Sequence, residues 1–298
     1  MDERQIQQVR SFNRAVTRRI GVLNDDYLGR GRPLAESRLL FEIGREGTDV
    51  RDLRARLSMD SGYLSRLLRA LEAHGLAKSH ASAEDARVRR VTLTAKGRRE
   101  VDALDRRSQE FAASLLAPLR EPQRQRLITA MAEVERLMRA AAVVVEVADP
   151  SGTDARACID AYLHEIDARF DTGFDPTRGP SADPGELIPP SGVFLLARVD
   201  EDAVGCGALK VIGEGVGEIK RMWVAPAARG LGIAQRLLDT LEQHAIDLHL
   251  HTVRLDTNRT LTEAHALYVR NGYREIGRYN DNPYADHWFE KTFEVGHP

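Results

Sequence analysis

The chain has 298 residues, 42% hydrophobic and 30% charged, with a net charge of −2. That length suits two domains, each able to bury its own core, and the composition is that of a globular protein rather than a disordered or fibrous one. No apolar run reaches the roughly 18 residues of a membrane span and the first residues carry no signal-peptide pattern. Only Cys158 and Cys206 occur, too few for a disulfide framework, so the expectation is a cytoplasmic protein with both thiols in its core.

The small net charge hides a division. Residues 1–140 hold 28 Lys and Arg against 20 Asp and Glu, whereas residues 141–298 hold 15 against 25. A basic first half suits a polyanion such as nucleic acid, and the acidic second half does not.

In chain order, residues 4 to about 28 keep a helical period, with Val9, Val16 and Leu23 at heptad spacing. Further periodic stretches run from about 97 to 117 and from Pro122 to about 141, the proline suiting a first helical turn. These flanking helices are expected either to pack within the chain or to form a helical dimer interface. Between them, "TDVRDLRARL" offers Thr48 as a helix cap, and the turn "SMD" leads to a helix whose Leu64, Leu67, Leu68 and Leu71 form one apolar stripe. Ser61, Tyr63, Ser65, Arg66 and Arg69 fall away from that stripe, and Gly75 suits a left-handed cap. The following "SHASAEDARVRRVTLTAKG" reads as two short strands around a loop holding Asp85, Arg87, Arg89 and Arg90. Two helices joined by a turn, then a basic hairpin, match a winged helix-turn-helix.

This stretch, through "GLAK", "DAR" and "VTLTAKG", resembles the MarR family of regulators. The resemblance implies a homodimer formed by the flanking helices, bound to an inverted-repeat operator in double-stranded DNA. It puts Ser61, Tyr63, Ser65, Arg66 and Arg69 on the recognition helix at the major groove, Arg87 and Arg89 on the wing, and Asp85 as a tether for the wing.

Near residue 142 the helical pattern gives way to the β-branched run "VVVEV". Helical "ARACIDAYLHEIDARF" follows, then "DTGFDPTRGPSADPGELIPPSG", which holds five of the twelve prolines and reads as a substrate-side loop or a disordered insertion. Strands are predicted at "VFLLARV", "AVGCGALKVI" and "GEIKRMWV", then a tight turn and helix at "VAPAARGLGIAQRLL", and finally β, α, β, β to the end. This is an α/β pattern. Small residues opening a helix let backbone approach a ligand and present unpaired N–H groups to an anion such as pyrophosphate.

The second half resembles the GCN5-related N-acetyltransferases (GNAT), through [RQ]xxGx[GA] at Arg229, Gly230, Leu231, Gly232, Ile233 and Ala234 and through "EIKRMWVAP" and "ALYVRNGYRE". The two resemblances together imply a two-domain α+β and α/β chain. Residues 1–141 would be a winged helix-turn-helix with flanking dimerisation helices, and 142–298 a GNAT fold with a mixed, splayed β-sheet. The second resemblance implies acetyl-CoA as cofactor, held by the backbone of Met222, Trp223 and Val224, by the amides of 230–234 and by Asn258. It implies direct acetyl transfer to an amine, with Tyr268 as general acid and Glu218 or a water as base. The acceptor would meet Phe174, Asp175, Asn282 and Tyr284, and could be a small amine or a protein lysine. A second expectation is a non-catalytic domain that senses acetyl-CoA or an amine. His249 and His251 read as a loop-to-strand junction, and no spacing in the sequence points to a metal site.

Overall fold

The computed structural model describes residues 2–22, 24–81, 88–179, 182–200 and 202–293. The chain divides into two compact units, Met1–Thr129 and Ala130–Pro298.

In the first unit, α1 (Glu3–Ile20) opens on a capping box between Asp2 and Gln5 and ends at Gly21, whose φ of 73° is left-handed. The N–H groups of Gly21 and Val22 both return to the Thr17 carbonyl. This terminator stops the helix well short of residue 28 despite the continuing apolar period; Leu23 lies outside the described residues. Then come α2 (Leu34–Ile43), β1 (Thr48–Asp49), α3 (Val50–Arg56), α4 (Ser61–Ala73), β2 (Ala77–Ala81), β3 (Arg89–Leu93), α5 (Ala95–Leu116) and α6 (Glu121–Ala141), the last running across the division. The expected cap Thr48 instead lies in β1 opposite Val91, and Asp49 takes the position before α3.

The strands form a small antiparallel sheet in the order β1-β3-β2. The stripe Leu64, Leu67, Leu68 and Leu71 is buried with Leu39, Leu40, Leu53 and Leu104 in one core. Asp60 caps α4 by accepting from the Tyr63 N–H at 2.9 Å, and Gly75 closes it with φ 68°. The motif around "GLAK" and "VTLTAKG" has a steric cause. Thr94 caps α5 at the Gly97 N–H and donates back to the Gly75 carbonyl at 2.7 Å, and a Cβ on Gly97 would stand 2.0 Å from the Leu76 carbonyl oxygen. Only glycine lets the first turn of α5 lie against the start of β2.

The second unit is built on a seven-stranded sheet formed by β4 (Val144–Val147), β5 (Gly192–Val199), β6 (Asp202–Gly213), β7 (Val216–Val224), β8 (Thr252–Thr257), β9 (Arg274–Ile276) and β10 (His287–Thr292). The order is β4-β5-β6-β7-β8-β10-β9, antiparallel except for β7 beside β8. Alternate residues of β5 face opposite sides. Val193, Leu195 and Ala197 meet α8 (Ile233–Asp247), while Phe194 and Leu196 meet Ala155 and Cys158 of α7 (Thr153–Arg169). α9 (Thr262–Arg270) joins the α8 side through Leu267 and Tyr268. Both cysteines are buried. From the proline-rich segment, Ala182 and Leu187 are buried in the α7-side core, with a short 3-10 turn at Pro184–Leu187. Among the described residues no helix is long and apolar enough to cross a membrane.

One half-buried ion pair sets an acid response in the first unit. Arg30 Nε and Nη2 donate to the two oxygens of Glu100 at 2.9 and 2.7 Å, and these bonds hold the Glu100 carboxyl below the ordinary carboxylate range although burial pushes it up. A carboxylate depressed on folding contributes stability above its unfolded value, about 4.3, and that contribution is lost as pH falls through the folded value. Glu100→Gln is expected to lower stability at pH 7 by about 1–3 kcal/mol. Urea midpoints followed by circular dichroism should show the gap from the native chain closing as pH drops below about 4. A gap constant from pH 7 to 3 would detach Glu100 from the acid response.

Candidate functional site

The sheet opens where its one parallel pair stops. β7 and β8 share register at Val216↔Thr252, Gly217↔Val253 and Glu218↔Arg254, and no further. β8 remains paired with β10 along its whole length, and β7 with β6, so Ile219–Val224 presents a strand edge with no partner in β8. On its paired side β7 carries a bulge, because Cys206 faces Trp223 and Ala208 faces Lys220, leaving Arg221 and Met222 opposite Gly207 alone. Arg221 has φ 56°, a left-handed conformation uncommon in a non-glycine residue. A bulge bends its strand and sharpens the local twist. Here it turns β7 away at the level where β8 leaves it.

A cavity of about 160 Å³ fills the opening, lined by Tyr162 and Ile166 of α7, Phe170 just after it, Lys220, Arg221 and Met222 of β7, Asp256–Asn258, and Tyr268 of α9. At one end of the opening, Pro226–Ala228 forms a 3-10 turn, followed by Arg229, Gly230 and Gly232. The φ values of Gly230 and Gly232, 81° and 76°, call for glycine, and the space above both Cα atoms is open. α8 starts at Ile233 with no side chain capping its first amides. Leu231 and Ile233 are buried beneath the turn, and Ala234 packs against the same core. Arg229 points away from the glycines: its Nη2 meets both oxygens of Glu165 at 2.6 Å, and its Nε donates to the Val224 carbonyl at 3.1 Å. Trp223 Nε1 donates to the same carboxylate at 2.9 Å. Burial pushes the Glu165 carboxyl up, but Arg229, Trp223 and Arg169 outweigh it and hold it below the ordinary range.

Tyr268 is buried on α9, its ring 5.7 Å from Tyr273 and 6.1 Å from Phe289. Burial pushes its phenol well up, so it carries its proton at neutral pH. Tyr162, which the sequence pattern did not single out, lines the same cavity and is shifted the same way by burial. Glu218 is buried beside the cavity rather than in its lining. Its Oε1 accepts from Tyr279 Oη at 2.7 Å and from Asn280 Nδ2 at 3.1 Å, and Lys220 Nζ stands 3.1 Å away. Lys220 also reaches Asp256 at 3.2 Å, so one ammonium bridges two buried carboxylates. Asn258 accepts from the N–H and hydroxyl of Thr260 and donates to the Tyr284 carbonyl at 2.7 Å, which ties the end of β8 to the loop before β10.

The four residues expected on the acceptor side come together. The Phe174 and Tyr284 rings are 4.9 Å apart with Phe170 beside them, the Asp175 N–H donates to Tyr284 Oη at 2.9 Å, and Asn282 Nδ2 donates to Asp256 Oδ1 at 2.7 Å. The Asp175 carboxylate faces Thr177, whose hydroxyl and N–H hold it below its usual range. Two further residues had no signal in the sequence. Arg221 Nη2 donates to the Ala182 carbonyl at 2.7 Å, and Arg136 of α6 donates to the Gly230 carbonyl at 2.7 Å.

In the first unit, Ser61, Tyr63, Arg66 and Arg69 are exposed on α4 and Ser65 is half-buried, opposite the leucine stripe. The Arg66 guanidinium lies 5.6 Å from the Tyr63 ring centre, and Arg69 Nε donates to the Ser65 carbonyl at 3.2 Å. Arg89 begins β3 with Glu72 at 3.6 Å. Arg87 and Asp85 lie outside the described residues. Arg90 anchors the hairpin, reaching Asp49 at 3.3 Å and the Glu46 and Gly47 carbonyls.

An exposed, cationic second helix above a strand hairpin defines a helix-turn-helix with a wing, and a splayed parallel pair opening onto an uncapped glycine turn defines an acyl-CoA type of cleft. The comparisons with known proteins agree with both. The sequence model of the acetyltransferase (GNAT) family matches residues 160–273, and that of the MarR family matches residues 30–88. The chain is 39% identical over 100 residues to an IAA acetyltransferase of Azospirillum brasilense, spanning 33% of this chain and 64% of that protein. It is 33% identical over 134 residues to an uncharacterized N-acetyltransferase of Schizosaccharomyces pombe, spanning 44% of this chain and 80% of that protein. An uncharacterized HTH-type transcriptional regulator of Bacillus subtilis is 29% identical over 83 residues, 28% of this chain and 51% of that protein. The chain belongs to the GNAT family of N-acetyltransferases and carries a MarR-family segment ahead of that domain.

The Lys220 bridge yields a stability prediction. Removing one partner of a buried ion cluster leaves charge uncompensated, at a cost of about 3–5 kcal/mol. Lys220→Met should therefore destabilise the chain by about that amount at pH 7, and adding Glu218→Gln should recover part of the loss, as read by chemical denaturation. Equal stability of Lys220→Met and the native chain would rule out the bridge as a stabilising element.

Proposed function

We propose that the protein is a MarR-type transcriptional regulator joined to an acetyltransferase that moves the acetyl group of acetyl-CoA directly to a primary amine. The observation that carries this reading is the coincidence, in one opening, of the unpartnered β7 edge, the open glycine turn at the start of α8 and the buried Tyr268 in the cavity lining. The edge around Met222, Trp223 and Val224 would hold the pantetheine arm by backbone hydrogen bonds. The amides of Gly230, Leu231, Gly232, Ile233 and Ala234, at the positive end of α8, suit the pyrophosphate. Acetyl-CoA, when bound, supplies an activated thioester carbonyl. Tyr268, in the cavity lining, would give its Oη proton to the leaving thiolate. Proton removal from the amine falls to water on this reading. Glu218 already accepts from two donors with a lysine beside it, and it does not line the cavity.

The Asp256, Asn282, Phe174 and Tyr284 wall would receive the acceptor, and Arg229 serves by bracing Trp223 and Val224 through Glu165. Asn258 keeps the end of β8 and the Tyr284 loop together. In the first unit, Ser61, Tyr63, Ser65, Arg66 and Arg69 would meet DNA bases and phosphates, with Arg87 and Arg89 on the wing. Ile6, Val9 and Phe12 of α1 and Ile128, Met131, Leu137 and Met138 of α6 are exposed apolar side chains, which supports a homodimer through these helices and an inverted-repeat operator. The cytoplasm suits such a regulator. A second reading, in which acetyl-CoA occupancy signals rather than turns over, is favoured by the Arg136 bond to the Gly230 carbonyl, since that turn is the proposed pyrophosphate site.

CoA release from acetyl-CoA across a panel of amines separates the two readings, because turnover with any amine selects the enzyme. Tyr268→Phe should then reduce kcat roughly 100-fold while leaving acetyl-CoA affinity nearly unchanged; full activity would remove Tyr268 from the chemistry. On the DNA side, Arg66→Ala should weaken the preferred site by about 1–3 kcal/mol if the guanidinium reads a base edge. In salt-controlled fluorescence anisotropy a phosphate contact would instead weaken all duplexes alike, and an unchanged isotherm on every duplex would take Arg66 off the interface.

A further inference from the structure

We infer that His265, Glu275 and His287 form a binding site for a divalent transition-metal ion of the zinc type. His265 comes from α9, Glu275 from β9 and His287 from the first position of β10. One ligand atom of each lies within 4.8 Å of those of the other two. Ligands that share a tetrahedral zinc ion at about 2.0–2.2 Å stand roughly 3.3–3.6 Å apart, so side-chain adjustments of about an ångström bring the three ligand atoms onto one ion.

The sheet brings the three together. Phe289 pairs with Glu275, and His287, two residues earlier in β10, projects from the same face as Phe289. The His265 ring stands edge-on to both, 4.9 Å from His287 and 5.2 Å from Phe289. Phe289 is buried and forms an apolar floor, while the half-buried histidines leave a side open for water as a fourth ligand. Two imidazoles and one carboxylate suit zinc and its neighbours in the series, whereas calcium and magnesium take oxygen ligands.

An ion pair explains the cluster less completely. His287 Nδ1 is 2.7 Å from Glu275 Oε1, but that partly exposed pair is worth little. It also leaves the His265 imidazole with no hydrogen bond among the described residues, while a metal ion gives all three side chains a partner. None of the three lines the cavity at the β7–β8 opening, so the site stands apart from the acyl-transfer reading and does not depend on it. His265 precedes Tyr268 by about one helical turn on α9. A bound ion would fasten that helix to the β9–β10 pair.

The test uses the tag-free full chain, stripped with a chelator and desalted. Calorimetric titration with zinc chloride is expected to give one ion per chain at micromolar affinity or tighter, with no binding of magnesium chloride, and zinc should raise the melting temperature. His265→Gln and His287→Gln should each weaken zinc binding by roughly 100-fold and abolish the thermal shift. Glu275→Gln, at an exposed position, keeps the fold and should weaken binding about 10-fold. His249→Gln, at a loop position away from the triad, should bind as the native chain does. Absence of stoichiometric uptake by the native chain, or undiminished affinity in the His265, Glu275 and His287 variants, would overturn the proposal.

Discussion

The second unit depends on the point at which β7 and β8 cease to be neighbours. A parallel pair normally continues until one strand ends, because each unpaired backbone group left behind has to find another partner. Here both strands continue, but each is held from its other side, β7 by β6 and β8 by β10. The bulge at Arg221 and Met222 adds twist to β7 alone. Glycine at position 207 makes room for it, since a Cβ there would stand 2.8 Å from the Met222 sulfur. The consequence is an opening with the unpaired backbone edge of β7 along one side.

Around that opening, charge is arranged in two separate sets. On one side Glu165 gathers Arg229, Trp223 and Arg169, which binds α7 to the end of β7 and to the turn before α8. On the other side Lys220 is shared between Glu218 and Asp256, with Tyr279, Asn280 and Asn282 completing the hydrogen bonds of the two carboxylates. Buried ions of this kind persist only when their neighbours are complete. Arg221 extends the arrangement by fixing the Ala182 carbonyl, so part of the proline-rich segment is a wall of the cleft.

The first unit follows a different logic, in which close backbone approach fixes the orientation of a helix. α4 is seated by its leucine stripe, and its outward face is left to Ser61, Tyr63, Arg66 and Arg69. The hairpin beneath it is placed by Arg90 and by the contact of Gly97 with the Leu76 carbonyl. α1 and α6 bury no residue, although both carry apolar side chains.

Much of this was legible in the sequence wherever the signal is local. The leucine period of α4, the Gly75 terminator and the left-handed glycines ahead of α8 are written in neighbouring residues, because helix period and φ preference act over a few positions. Those local signals were enough to place α4 with its outward polar face in one half and a glycine turn at the start of α8 in the other. Local signals also misled: the apolar period past Ile20 was cut by Gly21, and Thr48 was claimed by pairing with a strand more than forty residues away. The partners of Glu218, the cradle of Glu165, the reach of Arg136 to Gly230 and the meeting of His265 with Glu275 and His287 were decided by the tertiary structure alone. Each joins residues on separate elements, and which residues meet there depends on strand register and helix seating, quantities that no single stretch of sequence carries.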